Sequence, residues 1–194
     1  MLVIACGALA GELRAVLPPR AEVRYLPAHL HNRPERIVPA IIPLLDAADG
    51  PVFVAYADCG TGGALDRLLA AHPGVTRLPG AHCYEVFAGA ERFADLHDTE
   101  PGTFFLTDFL ARHFDALVWE GLGLDRHPEL RDLYFGNYRR VVLLSQSTAP
   151  DVIELGRAAA ERLDLAFEHH HTGRSELAAA IPVVVRATGA EVGA

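Results

Sequence analysis

Short apolar runs alternate with longer amphipathic segments along most of this chain. Each run is too short for a helix and ends in polar or glycine-rich residues, which is typical of a buried strand, whereas the segments between the runs have the length of helices. The predicted strands cover residues 2–6, 22–26, 52–57, 76–78, 103–106, 141–144 and 166–169. This alternation predicts an α/β fold, with a mostly parallel sheet and helices on both faces in a Rossmann-like arrangement.

The pattern contains no linker, internal repeat or low-complexity segment, so we expect a single domain over residues 1–194. Two adjacent helical segments predict a helical insertion around residues 101–137, placed over the site. Gly89 is a weak point in a helix predicted from Cys83, and Ser175 is the predicted cap of the last helix. The tail after about residue 186 is expected to be frayed.

Charge and composition exclude several classes of partner. The formal net charge of -8 argues against nucleic acid, which requires a basic face, and no basic amphipathic helix suggests a membrane surface. The start of the chain is apolar but has no basic leader, so we do not interpret it as a signal peptide. Because three cysteines are too few and odd in number for a disulfide framework, we expect a reducing cytoplasm. Oligomeric state is not predicted by the sequence.

The stretch over residues 52–85 combines the features that suggest chemistry. A buried strand ends in Asp58-Cys59, a glycine-rich turn and a helix follow, and the chain then reaches His82-Cys83-Tyr84-Glu85. The remaining cysteine, Cys6, ends the first predicted strand. Ligands of open α/β sheets bind where parallel strands end. We therefore expect Cys6, Cys59 and Cys83 to meet in space.

Three thiolates at one edge are a chemically coherent metal site. They would bind zinc and leave a fourth coordination position open for substrate or water. An iron–sulfur cluster with one open iron is the alternative, since thiolates also hold such clusters. The competing structural interpretation is that free cysteines are small apolar residues packed in the core. The polar neighbours Asp58 and His82 favour the metal site over that interpretation.

Other polar residues follow the same strands. His82 is predicted to be a ligand or an acid–base group, with Glu85 orienting it or accepting its proton, and His31 is a further catalytic candidate from the loop after the second strand. The turn Gly60-Thr61-Gly62-Gly63 at a helix start, together with Arg174, is a predicted anion or cofactor site, although it matches no nucleotide-binding motif. The histidine run at residues 169–171 is expected to bind metal only adventitiously, because alternation along a strand separates neighbouring side chains.

Six strings of this sequence are long enough to be distinctive. They are ACGAL, LPAHLHNRP, DCGTGG, LPGAHCYE, EPGTFFLTDFLARHFD and GLGLDRHPELRDLYFGNY. Together they resemble the bacterial and archaeal family catalogued as domain of unknown function 1638, over residues 6 to about 177. The resemblance implies that Cys6, Cys59, His82, Cys83 and Glu85 belong to one family pattern. It implies no established reaction, but it associates the chain with gene neighbourhoods of corrinoid-dependent methyltransferases.

These observations lead to one expected function and two alternatives. The first is a zinc-dependent enzyme that acts on a small molecule, with methyl transfer in corrinoid or one-carbon metabolism as the most concrete reaction. The second keeps the cysteines and replaces zinc by an iron–sulfur cluster. The third is a non-catalytic partner of a corrinoid protein or methyltransferase, in which the metal is structural.

Overall fold

The computed structural model describes residues 1–182 and residue 185. The chain divides into two compact units, Met1–Val86 with the described residues from Arg174 onward, and Phe87–Gly173. Both units are built from parallel strands and surrounding helices, which confirms the predicted α/β class. The strands lie in two sheets, one in each unit. The prediction of a single domain stays a prediction, and the predicted frayed tail lies outside the described residues.

The first unit contains a four-stranded parallel sheet in the order β2-β1-β3-β4. Its core consists of apolar side chains from the central strands and the helices beside them, such as Ile4, Phe53 and Leu65, which are almost fully buried. The elements are β1 (Leu2–Cys6), α1 (Ala10–Val16), β2 (Glu22–Leu26), α2 (Ile37–Asp46), β3 (Val52–Ala55), α3 (Ala64–Ala70), β4 (Thr76–Arg77) and α4 (Cys83–Ala88), with short 3-10 turns at Gly7–Leu9, Ala28–Asn32 and Pro34–Arg36.

The second unit contains a three-stranded parallel sheet in the order β5-β6-β7. Its elements are α5 (Ala90–Thr99), β5 (Thr103–Thr107), α6 (Asp108–Arg112), a π-helical turn (Asp115–Trp119), a 3-10 turn (Pro128–Leu130), α7 (Arg131–Phe135), β6 (Arg140–Ser145), α8 (Pro150–Leu163) and β7 (Ala166–His171). The chain then returns to the first unit with α9 (Ser175–Ala180). The helices predicted as an insertion are the connection between β5 and β6, and β5 itself belongs to the sheet.

Two local predictions have different outcomes. The weak point at Gly89 is confirmed: α4 ends at Ala88, α5 begins at Ala90, and Gly89 has a φ of +83°, which favours glycine. The prediction that Ser175 caps α9 is wrong. Arg174 is the capping residue, without a side-chain hydrogen bond, and Ser175 is already the first residue of the helix. Among the described residues, no helix is both long enough and apolar enough to cross a membrane.

Candidate functional site

The turn that follows β3 places Cys59 beside the segment that leads into α4. The backbone N–H of Asp58 donates to Gly80 O (3.1 Å), and that of Cys59 donates to Ala81 O (2.8 Å). Cys59 is buried and has a φ of +50°, a left-handed conformation that is unfavourable for a residue with a Cβ atom. Strained backbone of this kind is concentrated at functional sites. The two hydrogen bonds bring the segment before Cys83 against Cys59.

Cys6 reaches the same region from the end of β1. Its side chain is buried, and its Sγ accepts a hydrogen bond from the N–H of Ala8 (3.3 Å). The next residue must be small, because a Cβ atom on Gly7 would lie only 2.9 Å from Leu26 O. The absence of a side chain at Gly7 therefore lets the end of β1 approach the end of β2, where the turn that carries His31 begins.

His31 lies next to Cys6 and has a defined tautomer. Its Nδ1 is 3.2 Å from Ala28 O and 3.5 Å from Cys6 Sγ. Because a carbonyl oxygen can only accept, Nδ1 carries the hydrogen, and in the neutral ring the free lone pair is on Nε2. Burial lowers the pKa of His31, and the nearby His82 reinforces this effect, whereas the hydrogen bond to Ala28 opposes it. Burial therefore favours the neutral ring, in which Nε2 has the lone pair.

Two buried polar atoms lie at this place, His31 Nε2 and the hydroxyl oxygen of Tyr56. His31 Nε2 has no hydrogen-bond partner in the part of the chain that the structure describes, whereas the Tyr56 hydroxyl interacts with the Cys6 thiol. The two rings are nearly parallel, with an interplanar angle of 14° and centroids 6.1 Å apart. Burial raises the pKa of Tyr56, and the neighbouring Cys6 raises it further. A buried polar atom without a partner costs about 1–3 kcal/mol, so His31 Nε2 is a candidate to bind a ligand.

Sequence analysis missed Tyr56. The residue stands in the apolar run Val52 to Ala57 and is 1% exposed, so its type and burial suit a core position. The signal available in the sequence is its hydroxyl group, which is the one polar side-chain group in that run. A buried tyrosine hydroxyl normally requires a partner.

The three thiols influence one another electrostatically. Burial raises the pKa of Cys59 to about 12, and the charge of Cys6 adds to the increase. Burial also raises the pKa of Cys83, followed by the charges of Cys59 and Cys6, and burial raises that of Cys6. The cysteines thus lie close enough to interact, and burial favours their protonated form. Among the residues that the structure describes, no group of three or more His, Cys, Asp or Glu side chains is arranged so that it could hold a metal ion.

The glycine-rich turn after Cys59 is closed by a carboxylate. Asp58 accepts hydrogen bonds from the Thr61 hydroxyl (2.6 Å), the N–H of Gly62 (3.0 Å) and the N–H of Gly63 (2.9 Å). Burial by itself would raise the pKa of Asp58, but these three donors outweigh it and lower the pKa. Two N–H groups of the turn are therefore used inside the chain. The prediction that Gly60, Thr61, Gly62 and Gly63 bind an anion or cofactor stays a prediction.

The other predicted site residues have partners of their own. Glu85 accepts the N–H of Ala81 (3.0 Å) and covers Gly80, where a Cβ atom would lie 2.4 Å from Glu85 Oε2. Arg174 forms an ion pair with Glu12. His82 is exposed, its ring lies 6.4 Å from that of Tyr84, and its charge lowers the pKa of His31. Their catalytic and cofactor-binding roles remain predictions, and His31 has the most direct contact with a thiol.

Comparison with known proteins places the chain in a family. A family model described as "Protein of unknown function (DUF1638)" matches residues 25–181, which is most of the chain. The chain belongs to the DUF1638 family. The match includes Cys59, His82, Cys83 and Glu85, and it begins after Cys6, so the DUF1638 model does not cover the first strand and its cysteine. Neither a curated protein nor a solved structure matches the chain.

Proposed function

We propose that this DUF1638 protein is a zinc–thiolate enzyme in which Cys6, Cys59 and Cys83 hold the metal. Three thiolates satisfy the ligand preference of zinc and leave one coordination position for a small substrate or water. Binding requires that the thiols lose their protons and rotate towards one point. Metal binding releases protons in this way whenever the ligands are thiols.

The observation that carries the proposal is His31 Nε2, which is buried beside the Cys6 thiol and has no partner among the described residues, with the Tyr56 hydroxyl interacting with the same thiol. A cysteine that served only to pack the core would not need polar groups buried beside it, because burying them costs free energy. Their position next to Cys6, together with the left-handed backbone of Cys59, supports a functional site at these thiols.

His31 is assigned the role of the base. The hydrogen bond from Nδ1 to Ala28 O fixes the tautomer and leaves the Nε2 lone pair to accept a proton from the molecule in the open position. The Tyr56 ring stacks on that of His31, and its hydroxyl can donate to, or accept from, that molecule. His82 is exposed and can pass the proton on to solvent.

Bound zinc would acidify a thiol or water and make it a nucleophile at neutral pH. Transfer of a methyl group to or from a thiol is the reaction class that we favour, in line with the expected link to corrinoid methyltransferases. The small-molecule substrate would thus carry the thiol or the methyl group.

The test is metal analysis of untagged protein purified without oxygen, with matched variants. We expect about one zinc per chain in the wild type and loss of zinc in Cys59→Ser. His31→Ala should retain zinc but lose methyl-transfer activity. His72→Ala is the matched control, because His72 makes the same kind of bond from Nδ1 to a carbonyl oxygen (Leu68 O, 2.9 Å) on another segment. Circular dichroism checks that each variant is folded.

Three outcomes would contradict this assignment in different ways. Iron and sulfide with visible absorption would replace zinc by a cluster. Loss of zinc in His31→Ala would show that His31 is a fourth ligand, so that the site has no open coordination position. A closed site of this kind favours a structural metal in a non-catalytic partner. Absence of metal, with all three thiols titratable in the folded protein, would overturn the metal site itself.

A further inference from the structure

A second group of side chains with metal-binding chemistry lies in the other unit, where β6 and β7 end. In the parallel pairing of these strands, Ser145 is opposite His171 and Leu143 is opposite His169. Residues two apart on a strand point to the same face. His169 and His171 therefore share a face with Ser145, and His170 points to the opposite face.

The two imidazoles meet at one atom. Ser145 Oγ is 2.8 Å from His169 Nε2 and 3.3 Å from His171 Nδ1. A hydroxyl has one hydrogen, so it donates to one of these nitrogens and accepts an N–H from the other. Ser145 is completely buried, His169 is half-buried and His171 is exposed. The hydroxyl thus holds two ring nitrogens facing one atom, and the His171 side of the cluster is exposed to solvent.

The third histidine of the run, His170, forms hydrogen bonds with other residues. His170 Nε2 lies 2.5 Å from Glu168 Oε1, and its Nδ1 lies 2.7 Å from an Nη atom of Arg92. Both of its ring nitrogens therefore have partners on the other face. This division distinguishes the arrangement from a flexible histidine tag, in which all the rings would be equivalent.

We propose that His169 and His171 form a two-histidine binding site for a divalent transition-metal ion such as zinc. Neutral imidazole nitrogen is a preferred ligand of such ions, at about 2.0–2.1 Å for zinc. To bind the ion, the ring that now donates its N–H to Ser145 moves that hydrogen to its other nitrogen, so that both nitrogens facing Ser145 present lone pairs. Water or an exogenous ligand completes the coordination. Ser145 is a positioning residue, because its hydroxyl orients both rings before the metal arrives and releases their nitrogens when the ion binds.

The test compares three neighbouring substitutions in the untagged full chain titrated with zinc. We expect His169→Ala and His171→Ala each to bind one zinc fewer per chain than the wild type, and His170→Ala to bind as many as the wild type. Nitrogen chemical shifts of the imidazoles should change for His169 and His171 on zinc addition but not for His170. Ser145→Ala should lower the affinity for this zinc by about tenfold while both rings still coordinate it, because the free rings are then no longer held in place.

Failure here and failure of the thiolate site give different results. If the thiolate site does not exist, the wild type binds one zinc per chain fewer than it would with both sites. His169→Ala should still bind one zinc fewer than the wild type. If His170→Ala loses zinc as readily as His169→Ala, the run binds metal only adventitiously and the proposal is overturned. Unchanged imidazole shifts in the presence of zinc would overturn it as well.

Discussion

Asp58 and Asp108 each follow a buried parallel strand, and each accepts hydrogen bonds from two backbone N–H groups and one hydroxyl. Asp58 takes them from Thr61, Gly62 and Gly63, which lie three to five residues along the chain. Asp108 takes them from the N–H of Gln146 (2.9 Å) and from the N–H (2.9 Å) and hydroxyl (2.5 Å) of Ser147, 38 and 39 residues away. The same chemistry closes a local turn in one unit and joins two strand ends in the other.

Because Asp58 binds its own turn and Asp108 binds another strand end, different polar groups remain available for a ligand at the two sheet edges. In the second unit the connection is reciprocal, because Gln146 Oε1 accepts the N–H of Asp108 (3.2 Å) and Gln146 Nε2 donates to Leu144 O (2.5 Å). In the first unit Asp58 satisfies only its own turn. Beside that turn, His31 Nε2 has no partner among the described residues. The locally closed turn therefore leaves groups free at the edge where we expect the thiolate site, whereas in the second unit the polar groups of the β5 and β6 ends bind one another.

The largest effect is expected from removing the two carboxylates in turn. Asp108→Ala should reduce the free energy of unfolding by about 3 kcal/mol, because its donors are buried and join strands that are distant in sequence. Asp58→Ala should cost about 1 kcal/mol, since the N–H of Gly62 is exposed and can bind water instead. Urea denaturation of metal-free protein measures both values.

The exposed Asp95 provides a control, and Asp95→Ala should change stability by less than about 0.5 kcal/mol. Amide hydrogen exchange locates each effect. Asp108→Ala should reduce protection in β5 and β6, and Asp58→Ala should reduce it in α3. Equal costs for the two carboxylates would show that the distance between partners along the chain does not matter here.

The sequence predicted the fold well because its main signals are local. Apolar runs such as Val52 to Ala57 and Val141 to Leu144 define buried strands by themselves, and Gly89 marks a helix break through its backbone freedom. The division of the strands between two sheets depends on which strands pair, and the pattern within each strand does not contain that information. Ser175 has the residue type of a cap but lies one position inside its helix.

The site was predictable to a lesser degree. Parallel topology predicts that the ends of β1 and β3, with Cys6 and Cys59 nearby, lie at one edge. The approach of Cys83, which begins α4 and lies beyond the end of β4, depends on the hydrogen bonds to Gly80 O and Ala81 O, which the strand pattern does not predict. The tautomer of His31 depends on its contact with Ala28 O, which alternation of strands and helices cannot predict. The alternation rule separated His170 from its neighbours correctly, but it did not reveal that His169 and His171 would meet at Ser145, because that contact requires the register of β6 against β7.

A smaller effect is expected from removing only the hydroxyl donors. Thr61→Val and Ser147→Ala each delete one hydrogen bond to a carboxylate and leave the two N–H donors in place. In urea denaturation Thr61→Val should cost about 0.5 kcal/mol and Ser147→Ala about 1 kcal/mol. Double variants with Asp58→Ala and Asp108→Ala give the coupling energy of each pair. If Ser147→Ala lowered the free energy of unfolding almost as much as Asp108→Ala, the greater cost of losing Asp108 would come from the Ser147 hydroxyl and not from the backbone donors.

The smallest effect concerns pH and Asp58. Its pKa in the folded protein is lowered, because the Thr61 hydroxyl and the N–H groups of Gly63 and Gly62 outweigh the effect of burial. A carboxyl group with a lowered pKa stabilises the fold above its ordinary pKa of about 4, and this stabilisation is lost as the pH falls through the lowered value. The stability difference between wild type and Asp58→Asn, measured by urea denaturation of metal-free protein, should therefore shrink from pH 6 to about pH 2. Thr61→Val removes one of the donors and should weaken this pH dependence. A difference that stays constant down to about pH 2 would mean that the charge of Asp58 does not contribute to closing the turn.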